Sequence, residues 1–376
     1  MAGFLVAYQI HIFEKAPWVI AVYPAVLGVK GIMEGLLSGR LSTALHLGTV
    51  YPRFTKNTKG FYDLIKAVIF LTLVTSVAVS AFSMVFASLW GITFADFPNI
   101  LAVIVGTMAL GLVLLVVTTK VAFFSFKRGL DPDIVVYPVM SAVASIIITF
   151  CYVVVLNLFF SFGSIGMVAI EVLAAANFLL VLYFVPQNRH GDEFIKTIRE
   201  SLASLMIIAV IVNVTGTLLK GVSRYANSRI EFYTVYPALI GLVSDVGAVV
   251  GSTATTKLAL GMLKPKLSSI GHHAKNIVSA WIASVIMFVI LAFASLLIQG
   301  IFTSANLFSH VIVLFVANVI SVALIVVLSY AISILTFQKG LDPGNFVIPI
   351  ENALAAAVTS FALLAALALL SGGSVL

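Results

Sequence analysis

Tyr23 to Thr43 reads YPAVLGVKGIMEGLLSGRLST, an apolar stretch of helix length that nonetheless holds Lys30, Glu34 and Arg40. Its opening recurs as YPALIGLVS from Tyr236, and a second motif, FKRGLDPDIVVYP from Phe126, recurs as FQKGLDPGNFVIP from Phe337. The two offsets, 213 and 211 residues, differ by no more than a shortened loop. The chain is therefore read as an internal duplication, and each unusual residue can be compared with its counterpart in the other half.

The 376 residues around these motifs are 61% hydrophobic and 9% charged, with a mean hydropathy of +1.17. A soluble domain of this size needs far more charge to cover its surface. A bilayer core about 30 Å thick asks for roughly 20 apolar residues per helix, and runs of that length recur here without the alternation of a barrel strand. The expectation is an all-α, multi-pass protein of the cell membrane whose solvent is the lipid bilayer. The single cysteine, Cys151, lies in an apolar run, so neither a disulfide framework nor a cysteine metal cluster is expected. The net charge of +7 is spread over short loops, which argues for loop bias and against a nucleic-acid partner.

Hydropathy and length predict about ten spanning segments, near 17–47, 61–91, 98–127, 133–161, 165–185, 195–220, 232–263, 274–302, 305–337 and 344–371. Positive charge falls on every second loop, as in RFTKNTK at 53–59 and KPK at 264–266, which assigns those loops to the cytoplasm and both termini to the outside. KGVSRYANSR at 220–229 is the basic loop that disagrees. Six crossings separate the first YP helix from its repeat, an even number. The two halves are thus parallel repeats about a pseudo-twofold axis along the membrane normal. The segment at 165–185 has no counterpart and serves as the linker helix that this parity requires. The expected organisation is a first repeat over 1–162, a linker helix and loop over 163–194, and a second repeat over 195–376. The first repeat lacks an apolar run matching 195–220, through loss of that helix or a start further upstream, and no positively charged leader precedes Tyr23.

Small residues Gly28, Gly31, Gly35, Ser38 and Ser42 share one helix face, and Gly241, Ser244, Ala248, Gly251 and Thr255 repeat it. Such faces ordinarily let helices pack closely. Embedded charge suggests more. Of fourteen Asp and Glu, Glu34, Asp245, Glu351 and Glu171 lie inside apolar segments, where a charge costs at least about 2.5–3.5 kcal/mol at the bilayer centre. Glu171 reads as interfacial, near the external start of its helix. Glu34 has Lys30 one turn away, so a plain i,i+4 ion pair competes with a ligand role. Asp245 and Glu351 have no basic neighbour at helical spacing. A hard cation such as Mg²⁺ keeps much of its water and accepts a few carboxylates, hydroxyls and carbonyls, which Glu34, Asp245, Glu351, Ser38, Ser42, Thr255 and Asn352 can supply. Asp131 and Asp342, each followed by proline, read as helix caps, whereas Pro138 and Pro349 could bend a pore.

GVKGIMEGLLSGRLST, with its KG, Glu34 and RLST, resembles the signature helix of the solute carrier family 41 magnesium transporters, and the paired LDP motifs resemble the same family and its bacterial MgtE relatives. The resemblance spans nearly the whole chain. It implies two five-helix units around an ion pore, here joined in one chain that could work as a pseudo-dimer. The asparagine that follows KG in the family is Ile32 in this sequence, with Asp245 at the equivalent place in the second half. The aspartate that the family places seven residues beyond the proline is Ser145 in one half and Ala356 in the other, and Glu351 could compensate. MgtE's cytoplasmic regulatory domains have no counterpart in the sequence.

The leading expectation is a divalent-cation transporter or channel, Mg²⁺ foremost, with the ion as cargo, no cofactor, and a path at the interface of the repeats. Two alternatives stay open: a secondary transporter of another solute coupled to protonation of Glu34, Asp245 or Glu351, and a non-transporting membrane scaffold. An enzyme is not expected, because no nucleophile, base and orienting residue cluster and no HExxH helix or phosphate-cradling loop occurs.

Overall fold

A computed structural model describes residues 2–13, 15–88, 94–130, 132–188, 192–225, 229–259, 261–340 and 343–371. Within them the chain forms α1 (Ala2–Tyr8), α2 (Ile10–Phe13), α3 (Pro17–His46), α4 (Lys59–Ser88), α5 (Phe97–Gly111), α6 (Val113–Lys127), α7 (Pro132–Ser161), α8 (Gly163–Asn188), α9 (Asp192–Tyr225), α10 (Ile230–Ala259), α11 (Ala274–Ile298), α12 (Ser304–Gln338) and α13 (Pro343–Ser371). Among the described residues nine segments are long and apolar enough to cross a membrane. The protein is an all-α, multi-pass membrane protein.

Three segments differ from their sequence reading. The stretch read as 98–127 is split at Leu112 into α5 and α6, next to Gly111. The one read as 195–220 lies in the longer α9, whose apolar part, Met206–Val222, is just short of a span. The one read as 232–263 stops at Ala259, two residues before Gly261, whose φ of +69° permits the turn that ends the helix. Gly48 does the same after α3 with φ +68°, at the equivalent position of the first repeat. The residues before Tyr23 make only the short α1 and α2 and the opening turns of α3.

His11–Asn213 form one compact unit, and Met1–Ile10 with Val214–Leu376 form the other. The boundary falls inside α9. In the first unit α3 packs on α4, α5, α6 and α7, and α8 packs on α4, α5 and α7. Close approach depends on small residues: a Cβ on Gly28 would run into Val212 Cγ1 of α9. In the second unit α10, α12 and α13 pack mutually, α11 covers α10 and α12, and α1 lies on α10, with Gly3 against the Thr234 carbonyl.

Both units pin the YP helix in the same way. The Tyr23 hydroxyl shares a 2.9 Å hydrogen bond with Thr149 Oγ1 on α7, and Tyr236 shares one of 2.7 Å with Ser360 Oγ on α13, the repeat equivalent of Thr149. In the first unit Tyr152 stacks on Tyr23 at 5.7 Å between centroids and donates to the Val19 carbonyl at 2.8 Å, while Phe13 meets both rings edge-on. Burying these tyrosine hydroxyls is tolerated because each of the three finds a partner.

Charge at the basic loop that disagreed with the sidedness pattern is partly neutralised locally. Arg229 Nε donates to Glu231 Oε1 at 2.6 Å. Its guanidinium also lies over the Phe232 ring, 4.8 Å from the centroid.

Candidate functional site

α3 is built so that Lys30 and Glu34, one turn apart, face α7. Both are buried, at 6% and 1% exposed, and the ammonium lies 3.3 Å from Glu34 Oε2. The ion pair anticipated from i,i+4 spacing is formed. What spacing could not show is the rest of the ammonium's environment. Lys30 Nζ also donates to Ser145 Oγ at 2.9 Å and to the Ser141 carbonyl at 3.3 Å, both on α7. Two of the ammonium's N–H groups are thus taken by hydrogen bonds to α7, and the Glu34 carboxylate, neither oxygen of which makes a hydrogen bond of ordinary geometry, adds its charge as an ion pair. Ser145 in turn donates to the Ser141 carbonyl at 2.8 Å, which leaves its lone pairs for Lys30.

The other small polar residues of this face serve the helix itself. Ser38 donates back to the Glu34 carbonyl, and Ser42 is buried with a hydroxyl that makes no hydrogen bond. Back-bonding of this kind satisfies a serine without leaving it available as a ligand. Thr255, the counterpart of Ser42, donates to the Gly251 carbonyl at 2.9 Å.

The second unit solves the same packing problem with different residues. Repeat positions of Lys30, Glu34 and Ser145 are Val243, Gly247 and Ala356. A Cβ on Gly247 would meet Ile325 Cγ1 and Ser329 Oγ at 2.9 Å each, so Gly247 lies tight against side chains of α12. The carboxylate of this unit comes instead from α13, as Glu351, fully buried, at the position held by Met140 in the first unit. Neither oxygen of Glu351 makes a hydrogen bond of ordinary geometry, and no ion pair forms there among the described residues.

On the neighbouring α12 several polar groups are served, although Ser329 Oγ and His310 Nδ1 make no hydrogen bond. Asn318 accepts from Trp281 Nε1 at 3.0 Å and donates to Ser284 Oγ at 2.7 Å, His310 Nε2 meets Ser295 Oγ at 3.1 Å, and Ser333 donates to the Gly251 carbonyl at 3.1 Å. Beside Glu351, Asn352 Oδ1 accepts from Ser244 Oγ of α10 at 2.7 Å, and Asp245 follows on α10, half-buried.

The structure therefore gathers Glu34 with Ser145 in one unit, and Asn352 with the small-residue face of α10 in the other. Sequence reasoning missed Ser141 and Ser329, which are serines in apolar runs with no charge to mark them, and it placed Ser244 on the small-residue face without assigning it a partner. Asp131 and Asp342 lie outside the described residues, and the side chains of Pro138 and Pro349 are likewise outside the description. Glu171 is exposed on α8, and Cys151 is buried on α7. Among the described residues no group of three or more His, Cys, Asp or Glu gathers as a ready cage. A cation at such a site would be held by one carboxylate with hydroxyls, carbonyls and its own water, the manner of a hard ion.

Comparison with known proteins follows the same division into halves. No curated protein and no solved structure matches the chain. The family MgtE, described as divalent cation transporter, matches residues 23–155 and 236–366, which are the two repeats from the YP tyrosines into α7 and α13. Nine apolar helices, a duplicated YP and LDP framework and this match establish that the chain belongs to the MgtE divalent cation transporter family.

Proposed function

We propose that this chain transports Mg²⁺ along the small-residue faces of α3 and α10, with Glu351 as the carboxylate that the ion uses in the second repeat. One observation carries the reading: Glu351 is fully buried in an apolar helix with both oxygens lacking hydrogen bonds. An uncompensated carboxylate in that position is too costly to keep for packing alone. A divalent cation, arriving with part of its water shell, supplies the missing charge. Magnesium suits the donors at hand, which are oxygens throughout. One chain carries both repeats, and we read it as functional by itself.

The test is Mg²⁺ uptake into proteoliposomes with Co²⁺ and Ni²⁺ as competitors, comparing wild type with Glu351→Gln and with Asp245→Ala. Saturable uptake that other divalent ions compete for, and that Glu351→Gln abolishes, is the expected result. A folded wild type with no uptake would point to the scaffold reading. Uptake that follows a proton gradient and ignores divalent competitors would point to a coupled transporter of another solute.

A further inference from the structure

Within that reading, we propose that the Lys30 ammonium is a built-in cation occupying the first repeat's ion site, so that the protein holds one exchangeable divalent ion, in the second repeat, and gains a second when Lys30 is removed. The inference rests on the Mg²⁺ reading for the nature of the ion, but on different residues. In the first unit, Glu34 Oε2, Ser145 Oγ and the Ser141 carbonyl converge on one buried point from two helices, and that point is filled by Lys30 Nζ at 3.3, 2.9 and 3.3 Å. A carboxylate, a hydroxyl and a carbonyl are the donor types a hard cation takes. Here they hold an ammonium tethered to the same helix as the carboxylate.

The second unit shows what the arrangement looks like without the tether. Val243 stands where Lys30 would be, buried and apolar, and the carboxylate of Glu351 has no counter-ion among the described residues. All three members of the Lys30, Glu34 and Ser145 set are replaced together, by Val243, Gly247 and Ala356, while the carboxylate moves to the α13 position that is Met140 in the first unit. Each unit thus keeps a carboxylate under 2% exposed on α3 or α13, Glu34 in the first and Glu351 in the second, and of these two Glu34 is the one with an ion-pair partner among the described residues. If Lys30 served merely to neutralise Glu34, an apolar pair would do as well or better, since a buried ion pair is seldom a net source of stability. The second unit has an apolar residue at the Lys30 position and still keeps a carboxylate.

The experiment counts ions. Protein reconstituted in lipid nanodiscs is titrated with Mn²⁺ and bound ion is read from the loss of free Mn²⁺ signal in electron paramagnetic resonance. Wild type should hold one exchangeable Mn²⁺, Lys30→Met two, Lys30→Met with Glu351→Gln one, and Lys30→Met with Glu34→Gln one. Mg²⁺ should displace each. Lys30→Met that folds and binds no more ions than wild type overturns the proposal, and leaves Glu351 untouched. Conversely, a wild type that binds no Mn²⁺ while Lys30→Met binds one sinks the Glu351 reading and with it the ion count given for wild type, but upholds Lys30 as the occupant of the first repeat's site. Should Lys30→Met fail to fold, it is expressed and purified in Mg²⁺: recovery by Mg²⁺ but not by Na⁺ of equal ionic strength is the expected result, and no recovery overturns the proposal.

Discussion

The two repeats share their framework and differ in their charge. In the first unit, α3 contributes both the buried carboxylate and the ammonium that neutralises it, and α7 contributes only a hydroxyl and a carbonyl. In the second, the α10 positions that match Lys30 and Glu34 contribute neither: they are Val243 and Gly247, α10 instead carries Glu231 paired with Arg229 at its start, and the Glu351 carboxylate of α13 has no ion-pair partner among the described residues. Duplication supplied two equal scaffolds, as the matching Tyr23–Thr149 and Tyr236–Ser360 bonds show. Divergence then exchanged which helix carries the charge. The difference teaches that conserved packing and conserved charge placement are separable, because a helix pair needs only small residues and complementary shape to stay together, whereas a buried charge needs a specific counter-group.

The comparison can be broken most forcefully at Lys30. Lys30→Ala leaves Glu34 buried and unpaired, and in metal-free conditions should cost about 3–5 kcal/mol, the penalty for removing one partner of a buried pair. Lys30→Met with Glu34→Gln should recover most of that loss, since the charge leaves along with its partner. Chemical unfolding in mixed micelles measures both, and equal losses in the two variants would mean that the pair is not the source.

Gly247→Ala probes the second unit. Its Cβ would sit 2.9 Å from both Ile325 Cγ1 and Ser329 Oγ, so those side chains of α12 must give way. The expected cost is about 1–3 kcal/mol for overpacking, less the gain of about 1 kcal/mol in helix propensity. The same substitution at Gly241, where a Cβ meets nothing within 4 Å, should be neutral or stabilising on thermal unfolding. A matching loss at both sites would refute close packing as the reason that Gly247 has no side chain.

Smallest and most symmetric are the tyrosines. Tyr23→Phe and Tyr236→Phe each remove one buried hydroxyl hydrogen bond, worth about 0.5–1.5 kcal/mol. Tyr236→Phe should be the milder, because Ser360 keeps a bond to the Ala356 carbonyl at 2.8 Å. A Tyr236→Phe loss well above that of Tyr23→Phe would show that the shared framework is less equal than its geometry.

The fold was legible where composition and repetition carry it. Runs of apolar residues place nearly every helix, and the YP and LDP pairs reveal the duplication without any coordinate. Local detail escaped where one residue type decides the outcome: the stop before Gly261 and the one-residue break beside Gly111, inside what remains a single span over Phe94–Lys127, depend on backbone conformation, which hydropathy does not register. The candidate site was half legible. Glu34, Asp245 and Glu351 announce themselves as charges in lipid-length segments, and Lys30 announces itself as a neighbour of Glu34 at four residues. Ser141 and Ser329 do not, since a serine in a membrane helix most often bonds to its own backbone.

Sequence by itself determined that this protein spans a membrane, that it is built twice, and that few carboxylates enter its apolar core, because burial cost and helical period act along the chain. Only the tertiary structure decided that Lys30 reaches across to Ser145 and Ser141, that Gly247 lies tight against side chains of α12, and that Glu351 has no ion-pair partner among the described residues. Those facts depend on which helices meet and at what distance, and two halves with the same hydropathy satisfy them in opposite ways.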